Sequence, residues 1–241
     1  MDIVIDVGNS CAKIALFKDG RMADKLRVPA LSADVLELLF GKYRIERGIL
    51  SSVVNLPEDC TSYLKRSLKY FLILDDSTNV PITVDYRTPD TLGRDRLAAA
   101  VGAASLRPGE NLLIVDAGTA ITFDCVTADG RYKGGNISPG IKMRFRALHT
   151  FTDKLPLIDK EGDVPFIGDS TETAIRSGVI NGICFEIEGY IEALRQEMGA
   201  LSVFLTGGNA FYFERKLKSS IFADANLVLV GLYRILLYNV K

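Results

Sequence analysis

Residues 3–10 read IVIDVGNS and residues 112–120 read LLIVDAGTA, and these two similar stretches decide the fold. Each begins with a continuous apolar run, which is typical of a strand buried on both faces. Each run ends in the pattern Asp-x-Gly followed by a small polar residue. The pattern therefore predicts two buried strands that end in the same kind of turn.

Both stretches continue in the same way. A second β-rich segment follows each one and ends at Asp19-Gly20 or at Asp129-Gly130, and Asp-Gly between apolar runs is a strong hairpin signal. The order strand, DxG turn, strand, DG turn, strand thus occurs at 3–28 and again at 112–137. We interpret this repeat as two domains of the same topology. The alternative is a chance similarity between two hydrophobic hairpins.

The rest of the chain supplies elements for both domains. Helical spacing and capping residues predict helices at 32–40, 57–68, 97–106, 141–150 and 171–198, and apolar runs predict further strands at 48–54, 70–74 and 203–206. The Ala-rich third helix is stopped by Pro108-Gly109, which we take as the domain boundary. The predicted domains are therefore 1–108 and 109–241.

The composition excludes several classes of protein. Of 241 residues, 48% are hydrophobic and 24% charged, which is usual for a soluble globular protein and unlike a disordered or coiled-coil chain. The 29 Lys and Arg residues against 30 Asp and Glu leave a net charge of −1, so the basic surplus of a nucleic-acid binder is absent, and only a local basic patch stays open. The four cysteines form no CxxC pair, and His149 is the single histidine, which argues against metal clusters and histidine-based triads.

No targeting signal is visible in the sequence. The start MDIVIDVGNS has no basic region, so we do not expect an export signal. No apolar run reaches the roughly 18 residues that a membrane span needs. We therefore expect a cytoplasmic protein without membrane contact.

The residues at the two DxG turns suit nucleotide phosphates. Glycine lets backbone N–H groups approach phosphate oxygens, and Asn9, Ser10 and Thr119 can donate further hydrogen bonds. Since the carboxylates of Asp6 and Asp116 would repel phosphate, we expect them to hold a cation or its waters. A third turn, Thr206-Gly207-Gly208-Asn209, leaves room for the flat face of a nucleoside.

Together these motifs resemble those of the actin-like ATPase superfamily, and more closely those of the type III pantothenate kinase family. The resemblance runs over nearly the whole chain and rests on DVGNS at 6–10, Tyr86 followed by Pro89, GRDR at 93–96, DAGTA at 116–120, GGNISPG at 134–140, Leu155-Pro156, Thr171 in GDST, Gly178, and TGG at 206–208. Ser10 stands where many members have Thr, which keeps the hydroxyl. The resemblance implies an α/β fold of two ribonuclease-H-like domains with a nucleotide cleft between them.

The family resemblance also implies roles for individual residues. It implies an enzyme that uses ATP with Mg²⁺ to phosphorylate pantothenate, the first step towards coenzyme A, with a monovalent cation (K⁺ or NH₄⁺) bound by Asp116. It places Asp95 as the proton acceptor. The other implied contacts are, for ATP, Asp6, Val7, Gly8, Asn9, Ser10, Cys11, Ala12, Lys13, Thr119, Gly207 and Gly208, and for pantothenate Tyr86, Gly93, Arg94, Asp95, Arg96 and Thr171.

The residues around Asp95 permit two interpretations. A carboxylate before an apolar helix, flanked by Arg94 and Arg96, is often only a charge that stabilises the helix N-terminus. A neighbouring guanidinium would also keep Asp95 ionised, so that it could accept a hydroxyl proton. Either arginine could instead bind the substrate carboxylate bidentately. The repeat and the glycine turns favour the catalytic interpretation.

The helix predicted at 171–198 indicates a homodimer. It is apolar on more than one face, whereas a helix that covers one domain needs a single apolar stripe. Gly178 and Gly182 lie about one helical turn apart and would allow another helix to approach closely. The alternative is burial within its own domain. The family resemblance favours the dimer and implies that Thr171 reaches the pantothenate of the partner chain.

Two other functions compete with this interpretation. One is a regulatory protein of the same fold without turnover, such as a transcription accessory factor; intact Asp6, Asp95 and Asp116 and the lack of a basic surplus argue against it. The other is a kinase of the superfamily that acts on a sugar or on acetate. The GxDR and GGxISPG motifs argue against that second alternative.

Overall fold

The computed structural model describes residues 1–240. Its strands are β1 (Asp2–Val7), β2 (Ala12–Lys18), β3 (Arg21–Val28), β4 (Arg47–Ser52), β5 (Tyr70–Ile73), β6 (Thr83–Val84), β7 (Asn111–Ala117), β8 (Ala120–Val126), β9 (Arg131–Pro139), β10 (Leu201–Thr206) and β11 (Phe222–Ala223). Its helices are α1 (Ala33–Lys42), α2 (Glu58–Ser67), α3 (Arg94–Leu106), α4 (Ile141–Thr150), α5 (Thr171–Met198), α6 (Ala210–Glu214) and α7 (Leu227–Asn239). One 3₁₀ turn lies at Pro89–Thr91.

Two compact units divide the chain. The first contains Met1–Pro108, Gly130–Tyr132 and the chain from Asn226 onward, and the second contains Gly109–Asp129 and Lys133–Ala225.

No helix of residues 1–240 combines the length and apolarity that crossing a bilayer requires.

The first unit is built on a five-stranded sheet of order β3-β2-β1-β4-β5. Strand β1 lies between an antiparallel neighbour, β2, and a parallel one, β4. Because side chains alternate along a strand, one face of β1 packs Ile3, Ile5 and Val7 against the α1 and α2 side of the core. The other face carries Val4 and Asp6, so the polar end of β1 lies on the face away from α1 and α2.

Helix α7 belongs to the first unit. The sequence places it in the second predicted domain, 109–241, so that boundary differs from the structure. It packs on α3 through glycines that allow the backbones to touch. A Cβ atom at Gly231 would lie 1.7 Å from the carbonyl oxygen of Ala98, and one at Gly102 would lie 2.4 Å from that of Leu227. Hydrophobic periodicity predicts that a C-terminal helix is buried, but not which sheet it covers.

The second unit repeats the arrangement around β7. This strand pairs antiparallel with β8 and parallel with β10, in a sheet that runs β11-β10-β7-β8-β9. The long helix α5 buries one face of aliphatic residues in this core, namely Ile175, Val179, Ile180, Ile183, Ile187 and Ile191. Short strand β6 pairs in parallel with Arg131 and Tyr132, which belong to the first unit. The two hairpins predicted from the DxG and DG turns are confirmed.

Several helix boundaries follow from local chemistry. The Ser32 hydroxyl accepts a hydrogen bond from the Val35 amide at 3.4 Å and caps α1 as predicted. Helices α4 and α5 coincide with the predicted ranges. Helix α3 begins at Arg94 rather than at 97, so Asp95 lies inside its first turn and not before it.

Candidate active site

The first loop predicted to bind phosphate connects β1 to β2. The Gly8 amide donates to the Cys11 carbonyl at 3.0 Å, which closes a turn whose tip, Asn9 and Ser10, is exposed. The chain after β4 is tied to the same turn, because the Val53 amide donates to the Val7 carbonyl at 3.0 Å. The loop therefore presents exposed amide and hydroxyl groups on a fixed backbone, which suits an anion.

Asp6 is a buried carboxylate at the foot of this loop. Only 8% of its surface is exposed, and in register it faces Lys13 on β2. The pKa of Asp6 is raised to about 6, chiefly because burial disfavours the charged form; the Lys13 ammonium lowers it in part, and the negative charge of Asp95 adds to the rise. The structure thus brings the charged groups of Asp6, Asp95 and Lys13 close enough to interact.

Asp95 is held by the turn that begins α3. Its Oδ1 accepts a hydrogen bond from the Arg96 amide at 2.9 Å. Gly93 precedes the helix, and a Cβ atom there would lie 2.7 Å from that same carboxylate oxygen. A side chain at position 93 would therefore push the Asp95 carboxylate from this position.

The two arginines of the GRDR motif have different surroundings. Arg94 forms an ion pair with Asp76 and donates to the Leu92 carbonyl at 3.3 Å. Arg96 is 7% exposed, and its guanidinium carbon lies 5.9 Å from the centre of the Tyr86 ring. The Tyr86 ring in turn meets the buried Tyr132 edge to face, with 6.0 Å between ring centres. Tyr86, Asp95 and Arg96 therefore form one cluster in the first unit, whereas Arg94 pairs with a loop carboxylate.

In the second unit, Asp116 ends β7 in a cradle made by glycines. A Cβ atom at Gly118 would lie 3.0 Å from Oδ1 of Asp116, and one at Gly207 would lie 2.3 Å from it. Gly207 also has a φ of +89°, which side chains rarely adopt. The Asn209 backbone amide and its side-chain Nδ2 both donate to the Ala117 carbonyl, at 3.0 and 3.1 Å. The predicted DAGTA and TGGN turns thus meet at Asp116.

Thr119 and Thr171 are both exposed in the second unit. The Gly140 amide donates to the Thr119 carbonyl at 3.2 Å, and a Cβ atom at Gly140 would lie 2.2 Å from that oxygen. The end of the GGNISPG motif therefore packs directly against the DAGTA turn, which is the second loop predicted to bind phosphate. Thr171 starts α5, directly after the N-cap Ser170. Gly208 is exposed and has open space around it.

Asp6 and Asp116 each suit a cation that takes most of its ligands from outside the protein side chains. Within residues 1–240, no group of three or more His, Cys, Asp or Glu side chains could hold a metal ion. Mg²⁺ bound to a nucleotide commonly uses one or two protein carboxylates, with phosphate and water as its other ligands. Asp6 in the first unit supplies one such carboxylate and so fits a nucleotide-bound Mg²⁺, while Asp116 in the second unit supplies one carboxylate for the predicted monovalent cation.

Sequence reasoning missed the residues that support this site. No individual role was predicted for three such residues. Asp76 forms an ion pair with Arg94, Gly140 donates a hydrogen bond to Thr119, and Asn209 joins the TGGN turn to the DAGTA turn. Gly140 lies in the GGNISPG motif and Asn209 in the TGGN turn, so the sequence marks both positions but does not predict their contacts. Asp76 lies in a loop without a motif.

Two sheets, each with a DxG turn after its central strand, define the fold class of actin-like ATPases and related kinases. Among solved structures, a Campylobacter jejuni protein titled a conserved putative Baf family transcriptional activator has a TM-score of 0.64 at 23% identity, covering 98% of both chains. A ROK hexokinase from Thermus thermophilus has a TM-score of 0.55 at 16% identity, covering 99% of both. These similarities show the fold alone.

Sequence comparison defines the family. The family profile of type III pantothenate kinases matches residues 2–193. The type III pantothenate kinase of Phocaeicola vulgatus is 52% identical over 241 residues, which is 100% of both chains. The chain belongs to the type III pantothenate kinase family.

Proposed function

We propose that this protein transfers the γ-phosphoryl group of ATP to the primary hydroxyl of pantothenate and forms 4′-phosphopantothenate, the first step of coenzyme A synthesis. Family membership supports the reaction. The structural observation that carries it is the Asp95 carboxylate, fixed at the start of α3 and close enough to Asp6 to raise its pKa.

Asp95 is the proposed proton acceptor. A bond forms between the pantothenate hydroxyl oxygen and the γ-phosphorus, the bond from that phosphorus to the bridging oxygen of ADP breaks, and the hydroxyl proton passes to Asp95. Because the transition state of phosphoryl transfer is loose, positioning and charge neutralisation contribute more than the base. The hydrogen bond from the Arg96 amide orients the carboxylate for this step.

Both phosphate loops are proposed to contact ATP. In the first unit these contacts come from residues 6–13, with the Lys13 ammonium and the amides after Gly8 facing phosphate oxygens. In the second unit Thr119 contacts phosphate, and Gly207 and Gly208 leave space for adenosine. Bound Mg²⁺ supplies neutralisation of the charge that develops on the phosphate oxygens.

Asp116 is the proposed ligand of a monovalent cation, K⁺ or NH₄⁺. Its carboxylate is enclosed by Gly118 and Gly207, where any side chain would crowd Oδ1. Glycine at both positions keeps side chains away from this oxygen. The remaining ligands would be backbone oxygens and water.

The pantothenate pocket is proposed to be lined by Tyr86, Gly93, Arg94 and Arg96. Either Arg94 or Arg96 is proposed to bind the pantothenate carboxylate; Arg94 also forms an ion pair with Asp76, and the Arg96 guanidinium lies over the Tyr86 ring. A guanidinium backed by an aromatic ring is well placed for bidentate carboxylate binding.

A homodimer is proposed, with Thr171 completing the partner's pantothenate site. One stripe of α5 is open within the chain: a Cβ atom at Gly178, Gly182 or Gly189 would meet nothing within 4 Å. Phe185 on the same helix is 61% exposed, and the nearby Phe166, whose ring meets that of Phe185 at 6.3 Å, is 77% exposed. Exposed aromatic side chains beside open glycines suit a packed interface between copies.

We also propose a cytoplasmic location and no nucleic-acid partner. All four cysteines are free, which suits a reducing compartment. The net charge of −1 gives no general attraction to nucleic acid.

An ADP-release assay with a panel of acceptors tests this proposal. We expect turnover with pantothenate and none with acetate or hexoses. Replacement Asp95→Asn should lower kcat by about 10²–10⁴-fold, since that is the usual contribution of a general base. A folded Asp95→Asn protein with near-normal turnover would remove Asp95 from the mechanism, and turnover with a hexose alone would overturn the substrate.

A further inference from the structure

Ser51 is a buried hydroxyl that the proposed chemistry has not used. It lies one residue before the end of β4 and is 1% exposed. Its Oγ has no hydrogen-bond partner within the protein. Because an unpaired buried hydroxyl costs free energy, such an atom usually faces water or a ligand.

The sheet register places Ser51 beside Asp6. Strands β1 and β4 are parallel neighbours in which Asp6 pairs with Ser51, and on the other side of β1 Asp6 pairs with Lys13. Residues paired across adjacent strands project from the same face of a sheet. Lys13, Asp6 and Ser51 thus form a row of three polar side chains at one level of the sheet.

This row lies on the side of the sheet where Asp95 sits. The odd-numbered residues of β1 pack against the α1 and α2 side of the core, so Asp6 and Ser51 project from the opposite face. The charge of Asp95 acts on Asp6 from there. Ser51 is therefore next to the carboxylate to which we assign the cation, and not in the apolar core under α1 and α2.

Adjacent strands lie about 4.8 Å apart, so one oxygen atom could bridge the side chains of Ser51 and Asp6, which are paired in register. Their side chains are neighbours, yet their oxygens form no direct hydrogen bond. Polar groups separated by slightly more than a hydrogen bond are commonly joined by a water molecule. Magnesium bound to a nucleotide keeps several of its waters.

We propose that Ser51 is a positioning residue for magnesium–ATP, whose hydroxyl holds a metal-bound water that the Asp6 carboxylate also holds. The inference rests on the proposed function. The hydroxyl would fix the orientation of the hydrated cation relative to the first phosphate loop. It would take no part in breaking or forming a covalent bond.

Replacement Ser51→Ala tests the inference, and Ser177→Ala is its matched control. Ser177 on α5 is also buried, at 3% exposure, and its Oγ also lacks a partner, but it lies in the other unit and outside the proposed site. Affinity for the non-hydrolysable analogue AMP-PNP is measured by calorimetry, once with Mg²⁺ and once with EDTA. Thermal unfolding of each protein without nucleotide is measured beside it.

We expect Ser51→Ala to weaken AMP-PNP binding about tenfold in Mg²⁺, because one hydrogen bond of this kind usually contributes about that much to affinity. Binding in EDTA should be unchanged, because no metal-bound water is present there. Ser177→Ala should leave binding unchanged in both. The melting temperature of nucleotide-free Ser51→Ala should not fall, because the hydroxyl lacks a partner there.

Three results would overturn the inference. Unchanged binding of AMP-PNP in Mg²⁺ would show that Ser51 contacts nothing that the nucleotide brings. Equal weakening in Mg²⁺ and in EDTA would assign the hydroxyl to a phosphate oxygen instead of a metal-bound water. A lower melting temperature without nucleotide would assign it to a permanent structural water. None of these results depends on pantothenate turnover, so failure of the proposed reaction is judged separately in the acceptor panel.

Discussion

At the scale of single residues, the first unit keeps two carboxylates, Asp6 and Asp95, close enough to interact, with Lys13 as the nearby positive charge. Asp6 is buried, and the charge of Asp95 acts on it in the same direction as burial. Without the cation, ionised Asp6 is unfavourable in the folded protein. The buried Asp6 carboxylate therefore costs the nucleotide-free protein some stability at neutral pH, which the proposed bound cation would offset.

The pH dependence of stability follows from the raised pKa of Asp6. The pKa of Asp6 is about 6 in the folded protein, against about 3.9 for an unperturbed Asp. The folded state therefore binds the proton more tightly, and stability is lost as pH rises from about 4 through about 6. We expect Asp6→Asn to unfold like the wild type at pH 4 and to be more stable by about 1–3 kcal/mol at pH 7.5.

Urea unfolding at both pH values, without nucleotide or divalent cation, checks this expectation. The exposed Asp153 serves as the control position, since Asp153→Asn should change stability equally at both pH values. A gain in Asp6→Asn that does not grow with pH would contradict the buried-acid account.

At the scale of elements, the sequence predicts turns and helix ends, but it does not predict which elements pack together. Both DxG turns, the Ser32 cap of α1 and the full extent of α5 follow from local signals. The assignment of α7 to the first unit depends on the contact of Gly231 with Ala98, which no local pattern encodes. Likewise the row formed by Asp6 and Ser51 depends on the register between strands that are distant in sequence.

The junction of the DAG and TGGN turns gives a prediction at this scale. Gly207→Ala would place a Cβ atom 2.3 Å from Oδ1 of Asp116, at a φ of +89°. We expect a loss of about 1–3 kcal/mol in unfolding free energy and weaker binding of AMP-PNP. Chemical unfolding and calorimetry measure the two effects.

The adjacent Gly208 is the matched control for stability. A Cβ atom there would meet nothing within 4 Å, so Gly208→Ala should change the unfolding free energy by no more than about 0.5 kcal/mol. Equal destabilisation by the two replacements would show that the cradle around Asp116 is not the cause.

At the scale of the whole molecule, two sheet units carry the predicted site residues separately. The first unit holds residues 6–13, Tyr86 and the GRDR motif, and the second holds Asp116, Thr119, Thr171 and the TGG turn. The open stripe of α5 adds the proposed contact with a second chain. The family resemblance implied that contact, and sequence alone could not distinguish it from burial within one chain, because the open glycines become visible only in the folded helix.

Mixing two inactive variants tests the shared site. In a heterodimer of an Asp95→Asn chain and a Thr171→Arg chain, one site combines an intact Asp95 with an intact Thr171 from the partner. Random mixing after dissociation and reassociation should restore about a quarter of wild-type activity, measured per chain. Each variant mixed with itself is the control. No recovery from a mixture shown to contain heterodimers would place Thr171 in the site of its own chain.

The central claim is the phosphorylation of pantothenate at its primary hydroxyl. Mass spectrometry combined with ³¹P and proton NMR of the product, formed from pantothenate, ATP, Mg²⁺ and K⁺, measures it most directly. The account predicts one added phosphoryl group, coupled to the methylene protons beside the primary hydroxyl, and formation of the same product about 10²–10⁴-fold more slowly with folded Asp95→Asn protein. Unmodified pantothenate after prolonged incubation with folded, nucleotide-binding wild-type protein, or a phosphate on another oxygen, would contradict it.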